Sequence, residues 1–186
     1  MLIIKPLTPE TWSDFEQLFG PKGAYSGCWC MWWRLKRKDF EAGQGEGNRR
    51  ALKALVEDGQ IPGILAYSDG KPIAWCSVAP RADFSSLNRS PVLKPIDDLP
   101  VWSLVCFFVG RAHRSQGLLI DLIEGVVQYV DEQGGQIIEA YPSCPKSGQM
   151  PPVNSFMGIP KVLEQAGFVE VARPSSAKAI YRYYLN

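Results

Sequence analysis

Three groups of residues in this sequence could do chemistry. The first lies between the apolar run VWSLVCFFV, residues 101–109, and the amphipathic stretch that begins near Leu118. It is the basic, glycine-containing turn Arg111-Ala112-His113-Arg114-Ser115-Gln116-Gly117. The first turn of a helix leaves backbone N–H groups unpaired at the positive end of the helix dipole, so an anionic phosphate is stabilised there. Gly117 removes a side chain that would obstruct close approach, and Arg111 or Arg114 can neutralise charge at the rim. No Gly-Lys-Ser/Thr follows, so the turn is not a Walker A loop, and it lacks the G-x-G-x-x-G of a dinucleotide site. A tight turn with solvated arginines is the competing reading.

The second group is the five cysteines and the single histidine. Cys28-x-Cys30 lacks the usual two-residue zinc spacing, although Cys76, Cys106, Cys144 and His113 could assemble around it. Cys76 and Cys106 stand in strand patterns, where a thiol is most often a small buried hydrophobe. An acylated Cys106 would need a base, and His113 lies across a strand end from it. The third group is the aromatic cluster GCWCMWWR. Trp29, Trp32 and Trp33, with Met31 and Tyr25, either anchor a long loop on the core or wall a substrate cleft. Arg34 to Lys38 reads as a solvated basic face, and Arg81 and Asp83 as loop-surface residues that could approach an acceptor.

The elements that must position these groups follow from local pattern. Leu2 to Leu7 reads as a strand near a sheet edge, because Pro6 cannot donate to a ladder. Thr8 and Pro9 open a helix whose Trp12, Phe15, Leu18 and Phe19 share one face, and Gly20 stops it. Residues 27–47 look irregular. Asn48 is the expected cap of a second helix, with Leu52, Leu55 and Val56 inward and Gly59 at its end. Runs 63–67 and 71–78 flank Asp69-Gly70, the strongest short-range hairpin signal. Residues 79–100 are too rich in Pro, Ser, Asp and Asn to form an element. Val101 to Val109 is apolar enough for a central strand covered on both faces. A helix follows to Gly134, then a strand over 136–141, a helix over 155–166, and strands over 168–172 and 179–185.

With its motif and element order, the chain resembles the GNAT superfamily of acyl-CoA-dependent N-acetyltransferases over essentially its whole length. In that family the fourth strand enters a Gln/Arg-x-x-Gly-x-Gly/Ala loop whose amides hold the CoA pyrophosphate. The matching residues are Arg114, Ser115, Gln116, Gly117, Leu118 and Leu119, with Leu119 in place of a small final residue. A late Ala166-Gly167-Phe168 and a final antiparallel strand complete the match. The resemblance implies an α/β fold in which a mixed central sheet splays between its fourth and fifth strands, with helices on both faces and residues 1–186 as one domain. It also implies acetyl-CoA as acyl donor, held partly by the backbone of Phe107, Phe108 and Val109, and direct attack by an amine. The implied acceptor is a small-molecule amine or a peptide amine, and a homodimer is left open.

The same resemblance directs attention to the proton-transfer groups. Many members carry a Tyr four residues before the Gly of the late Gly-Phe pair, and here that position is Leu163. Tyr141 is then the candidate acid, and Glu139, two residues earlier on the same strand face, the candidate base or amine-binding group. Tyr141 could instead be a packing residue, and Glu139 could simply pair with an arginine. The departures at Leu119 and Leu163 also keep open a noncatalytic acyl-CoA-binding or protein-interaction module on the same fold.

Composition narrows the function classes. The 186 residues carry 20 basic and 19 acidic side chains, and 46% are hydrophobic, which suits a globular core and no nucleic-acid partner. An odd number of scattered cysteines and the absence of a secretory h-region point to a reducing, cytoplasmic setting. No apolar run is long enough for a membrane span.

Overall fold

The computed structural model describes residues 2–114, 116–144 and 156–185. Seven strands form one sheet in the order β1-β2-β3-β4-β5-β7-β6. They are β1 (Ile3–Pro6), β2 (Ile64–Ser68), β3 (Lys71–Pro80), β4 (Trp102–Val109), β5 (Ile137–Ala140), β6 (Val169–Ser175) and β7 (Lys178–Tyr184). Every neighbouring pair is antiparallel except β4–β5. The sheet is therefore mixed, and β1 lies at its edge, where a proline is tolerated. The helices are α1 (Trp12–Phe19), α2 (Arg37–Ala42), α3 (Glu46–Glu57), α4 (Ser85–Asn88), α5 (Leu118–Glu132) and α6 (Pro160–Gln165). Among the described residues no helix is long and apolar enough to cross a membrane.

Local chemistry explains most of these boundaries. Asp69 and Gly70 both have positive φ, 49° and 73°, as a two-residue hairpin turn matched to strand twist requires. In α1, Trp12, Phe15 and Phe19 are buried, and Gly20 ends the helix at φ 63° with its N–H on the Glu16 carbonyl. The long apolar strand β4 is central, as its composition demands, between β3 and β5. The large buried side chains fall into three clusters. One joins the sheet to α5 and α6 through Leu104, Leu122, Val126, Ile138 and Leu163. The second packs Phe15, Phe19, Trp29, Leu52 and Trp75. The third gathers Phe84, Leu87, Val105, Tyr141, Met157 and Ile180.

Four expectations are corrected. Residues 27–47 contain α2, and α3 starts at Glu46 behind Gly45, so Asn48 lies inside its first turn. Asn48 is fully buried there, and its Nδ2 donates to the carbonyls of Gly27 and Phe40, tying the helix to the Cys-Trp loop. Residues 79–100 include α4 and a 3₁₀ turn at Arg81–Asp83, because Phe84 and Leu87 are buried there. α6 begins at Pro160, where a missing N–H costs nothing, instead of running from 155. The loop expected after residue 141 and the start expected at Ser155 fall partly outside the described residues.

Candidate active site

β4 and β5 run parallel, but their pairing covers only Trp102↔Ile138, Ser103↔Glu139 and Leu104↔Ala140. β4 continues to Val109 on the β3 side, so the sheet opens into a V beyond Leu104. A bulge sits at this apex. Ser77 pairs with Cys106 and Val78 with Leu104, which leaves Val105 without a β3 partner. Past the apex, Cys106 and Phe108 face the second cluster, whereas Phe107 is buried against the first. Strand backbone without a strand partner is polar surface seeking one.

At the end of β4 the chain turns through a 3₁₀ segment, Arg111–His113, and reaches the 15-residue helix α5. The N–H of Gly110 donates to the Ile73 carbonyl at 2.8 Å, which fixes the exit from the sheet. Arg114 donates through Nε to the Val109 carbonyl at 3.0 Å, and its guanidinium lies 5.9 Å from the Phe108 ring centre. Gln116 donates to the Ala112 carbonyl at 3.2 Å. Gly117 is the N-cap residue of α5 with φ 77°, and a Cβ there would meet nothing within 4 Å. The helix N-terminus thus opens onto unobstructed space beside two arginines. Leu118 and Leu119 are half-buried against the first cluster, so the side chain at the normally small position packs into the core. Ser115 lies outside the described residues.

The structure brings Glu139 and Tyr141 together, on the sheet face opposite α5. Tyr141 stands one residue past the last β4–β5 pair and is fully buried, and Glu139 is 1% exposed. The Tyr141 hydroxyl donates to Glu139 Oε2 at 2.8 Å, receives a bond from Arg81 Nη1 at 2.9 Å, and lies 2.7 Å from Ser103 Oγ. Arg81 Nη1 also reaches Glu139 Oε2 at 3.3 Å. Glu139 Oε1 accepts from Arg182 Nε at 2.9 Å, and Arg182 forms a bidentate pair with Asp97 at 2.6 and 2.8 Å. Burial, reinforced by the charge of Glu139, pushes the Tyr141 phenol well above its ordinary value. The phenol is therefore a neutral donor at any working pH. Both oxygens of Glu139 are engaged by cations, so the carboxylate is paired with Arg81 and Arg182.

Sequence reasoning singled out Arg81 but missed Ser103, Asp97 and Arg182. The available signal was a single polar residue inside each of two otherwise apolar or aromatic strands, VWSLVCFFV and IYRYYL. Within the aromatic cluster Trp29 anchors the loop on the core. Trp29 packs on Phe15 and Phe19 with ring centres 6.0 and 5.7 Å apart, whereas Trp32 is 41% exposed. Arg34, expected in a solvated face, is buried. The thiols are packing groups. Burial pushes Cys28 up to about 11 and Cys76 far above its usual value, while Cys30 is raised chiefly by its contact with Cys106. Held protonated, the thiols of Cys28, Cys30 and Cys76 are poor nucleophiles. Among the described residues no group of three or more His, Cys, Asp or Glu could hold a metal ion.

Residues 29–145 match the Acetyltransferase (GNAT) family, and the chain belongs to it. Solved structures give the same fold. An acetyltransferase of the GNAT family from Streptococcus agalactiae is 12% identical with a TM-score of 0.59, over 100% of this chain and 96% of that one. The PaiA N-acetyltransferase from Thermoplasma acidophilum, solved in complex with coenzyme A, is 11% identical with a TM-score of 0.55, over 100% and 99%. An acetyltransferase from Thermus thermophilus is 14% identical with a TM-score of 0.56, over 100% and 97%. At these identities the likeness speaks for the fold alone. No curated protein matches the chain.

Proposed function

We propose that residues 1–186 act as one domain that transfers an acetyl group from acetyl-CoA to a primary amine by direct attack. The observation that carries the reading is the parallel β4–β5 pairing that stops at Leu104 and Ala140 while β4 runs on to Val109 and into a helix opened by Gly117. The edge of β4 at Phe107, Phe108 and Val109 that faces away from β3, beyond the last β4–β5 pair, suits an extended amide-bearing arm, which hydrogen-bonds as a strand would. The open helix start at Gly117 to Leu119, with Arg114 beside it, suits a pyrophosphate. Ser115 and Gln116 belong to the same proposed cradle.

In this reading a thioester at the apex of the V meets an amine arriving on the face that carries Tyr141. Tyr141, whose phenol stays neutral and carries a proton, supplies a hydrogen bond or that proton to the departing thiolate when its O–H turns away from Glu139 Oε2. Glu139 is a positioning residue, holding Tyr141 and two guanidinium groups. The amine loses its proton to solvent or to a group of the acceptor itself, because no lone carboxylate stands beside Tyr141 among the described residues. Leu163, fully buried in the first cluster, stands where a tyrosine would offer the late helix a phenolic acid. That observation also supports the second reading, a noncatalytic acyl-CoA-binding or protein-interaction module.

Calorimetry with CoA and a thiol-release assay over polyamines, amino acids, aminoglycosides and peptide N-termini separate the two readings. The proposal expects saturable CoA binding and turnover of at least one amine class. Tight CoA binding with no acceptor turned over supports the module, and no CoA binding removes the acetyltransferase and the acyl-CoA-binding form of the module, leaving only a protein-interaction module.

A further inference from the structure

Three guanidinium groups are buried on the sheet face that carries Tyr141, and two carboxylates answer them. Arg81 pairs with Glu139, and Arg182 pairs with both Glu139 and Asp97. Arg34, only 8% exposed, has no ion pair among the described residues. Its Nη2 donates to the Pro62 carbonyl at 3.3 Å, its guanidinium covers the Phe84 ring at 4.5 Å, and its Nε has no partner. Burial lowers its pKa to about 10, with the charge of Asp83 opposing the fall. Arg34 is still a cation at neutral pH. A buried cation without a direct ion pair is costly, and an under-bonded guanidinium is the side chain best shaped to take a carboxylate.

Its contacts place it on the β3 side of the apex of the V. The Pro62 carbonyl that accepts from Arg34 also accepts from Ser77 Oγ at 3.2 Å, and Ser77 is the ladder partner of Cys106, just beyond the last β4–β5 pair. Cys30, from the same loop as Arg34, touches Cys106 with the two sulfurs 3.4 Å apart. The loop is held in costly backbone, with Trp29 and Cys30 at φ 45° and 56°. Such strain persists only where surrounding contacts over-determine it. Trp75 Nε1 supplies one of them, donating to Cys30 Sγ at 3.0 Å.

We infer that Arg34 binds a carboxylate carried by the acceptor, so that the acceptor class is the amino acids: amines with an anionic group close to the nitrogen being acetylated. This rests on the acetyltransferase reading above and adds the identity of the acceptor to it. Of the three buried guanidiniums Arg34 alone has no carboxylate within ion-pair distance among the described residues, the exposed Asp83 acting on it only from further away. Polycationic acceptors, the polyamines and aminoglycosides, are disfavoured there.

The test compares kcat/KM for a panel of α-amino acids with that for their carboxamides, which keep the amine and lose the charge. Wild type should favour the acid of at least one pair by about tenfold or more, the difference lying mainly in KM. Arg34→Met should bring that ratio to about one while CoA affinity, read by calorimetry, stays near wild type. Arg34→Lys should retain part of the preference, and Arg37→Met, in the exposed neighbouring stretch, all of it. Equal use of acid and amide by wild type, or a preference that survives in Arg34→Met, overturns the assignment. If Arg34→Met does not fold, the wild-type ratio and Arg34→Lys decide. Amine turnover indifferent to the carboxylate defeats the role of Arg34 alone, whereas absence of CoA binding defeats the acetyltransferase reading beneath it.

Discussion

Replacing Gly117 with leucine should weaken CoA binding by about 100-fold while the protein still folds. The magnitude has two sources. Gly117 sits at φ 77°, where an L side chain costs roughly 1–2 kcal/mol, and a helix start that relaxes out of that conformation no longer aims its amides at the phosphate. The new side chain would also project from the start of α5 into open space, where a phosphate has to approach the amides, and losing such charge-assisted bonds costs roughly 1.5–3 kcal/mol. No protein atom lies within 4 Å of the added Cβ, so the substitution makes no clash inside the fold. Gly117→Ala should show the strain without most of the obstruction and lose about tenfold. Calorimetry reads both effects, with circular dichroism confirming the fold. CoA binding unchanged in Gly117→Leu would take the pyrophosphate away from this helix.

Tyr141→Phe should lower kcat/KM by about 10- to 100-fold with CoA affinity near wild type. The variant keeps the packing of the third cluster and removes a single hydroxyl that contacts Ser103, Arg81 and Glu139. Glu139→Gln should behave differently. It removes the charge shared by Arg81 and Arg182 and leaves two buried guanidiniums short of a partner, so stability should fall by about 3 kcal/mol, visible as a lowered Tm. A Tyr141→Phe variant with full activity under conditions where chemistry limits the rate would remove Tyr141 from the leaving-group role. The pair of variants thereby separates a group that meets the reaction from one that holds it in place.

What could be read from the sequence was what short-range chemistry decides. The Asp69-Gly70 turn, the apolar run of β4 and the stripe of α5 each carry their structure within a dozen residues, and all three stand where the pattern put them. The order of strands and the β4-to-α5 turn were legible for the same reason. The pairing of Glu139 with Arg81 and Arg182 was not, because these residues come together only when β5 lies beside β7 and the residues after β3 fold over them. Arg34 illustrates the failure most clearly. A run from Arg34 to Lys38 looks uniformly solvated, yet the turn that buries Trp29 and Met31 carries Arg34 inward and leaves Lys36, Arg37 and Lys38 outside. Periodicity cannot show this in a loop whose backbone visits left-handed φ at four non-glycine positions, Ala24, Ser26, Trp29 and Cys30.

The most direct test of the central claim follows the acetyl group itself. The protein is mixed with acetyl-CoA labelled with ¹³C in the acetyl group and with an accepted amine, quenched within a single turnover, and both protein and small molecules are weighed by mass spectrometry. One labelled acetyl should appear on the amine nitrogen for each CoA released, with no acetylated form of the protein at any time. A labelled acetyl on Cys106 that appears before the product and disappears as it forms would contradict direct attack. CoA that stays acetylated with every amine offered would contradict the transferase reading altogether.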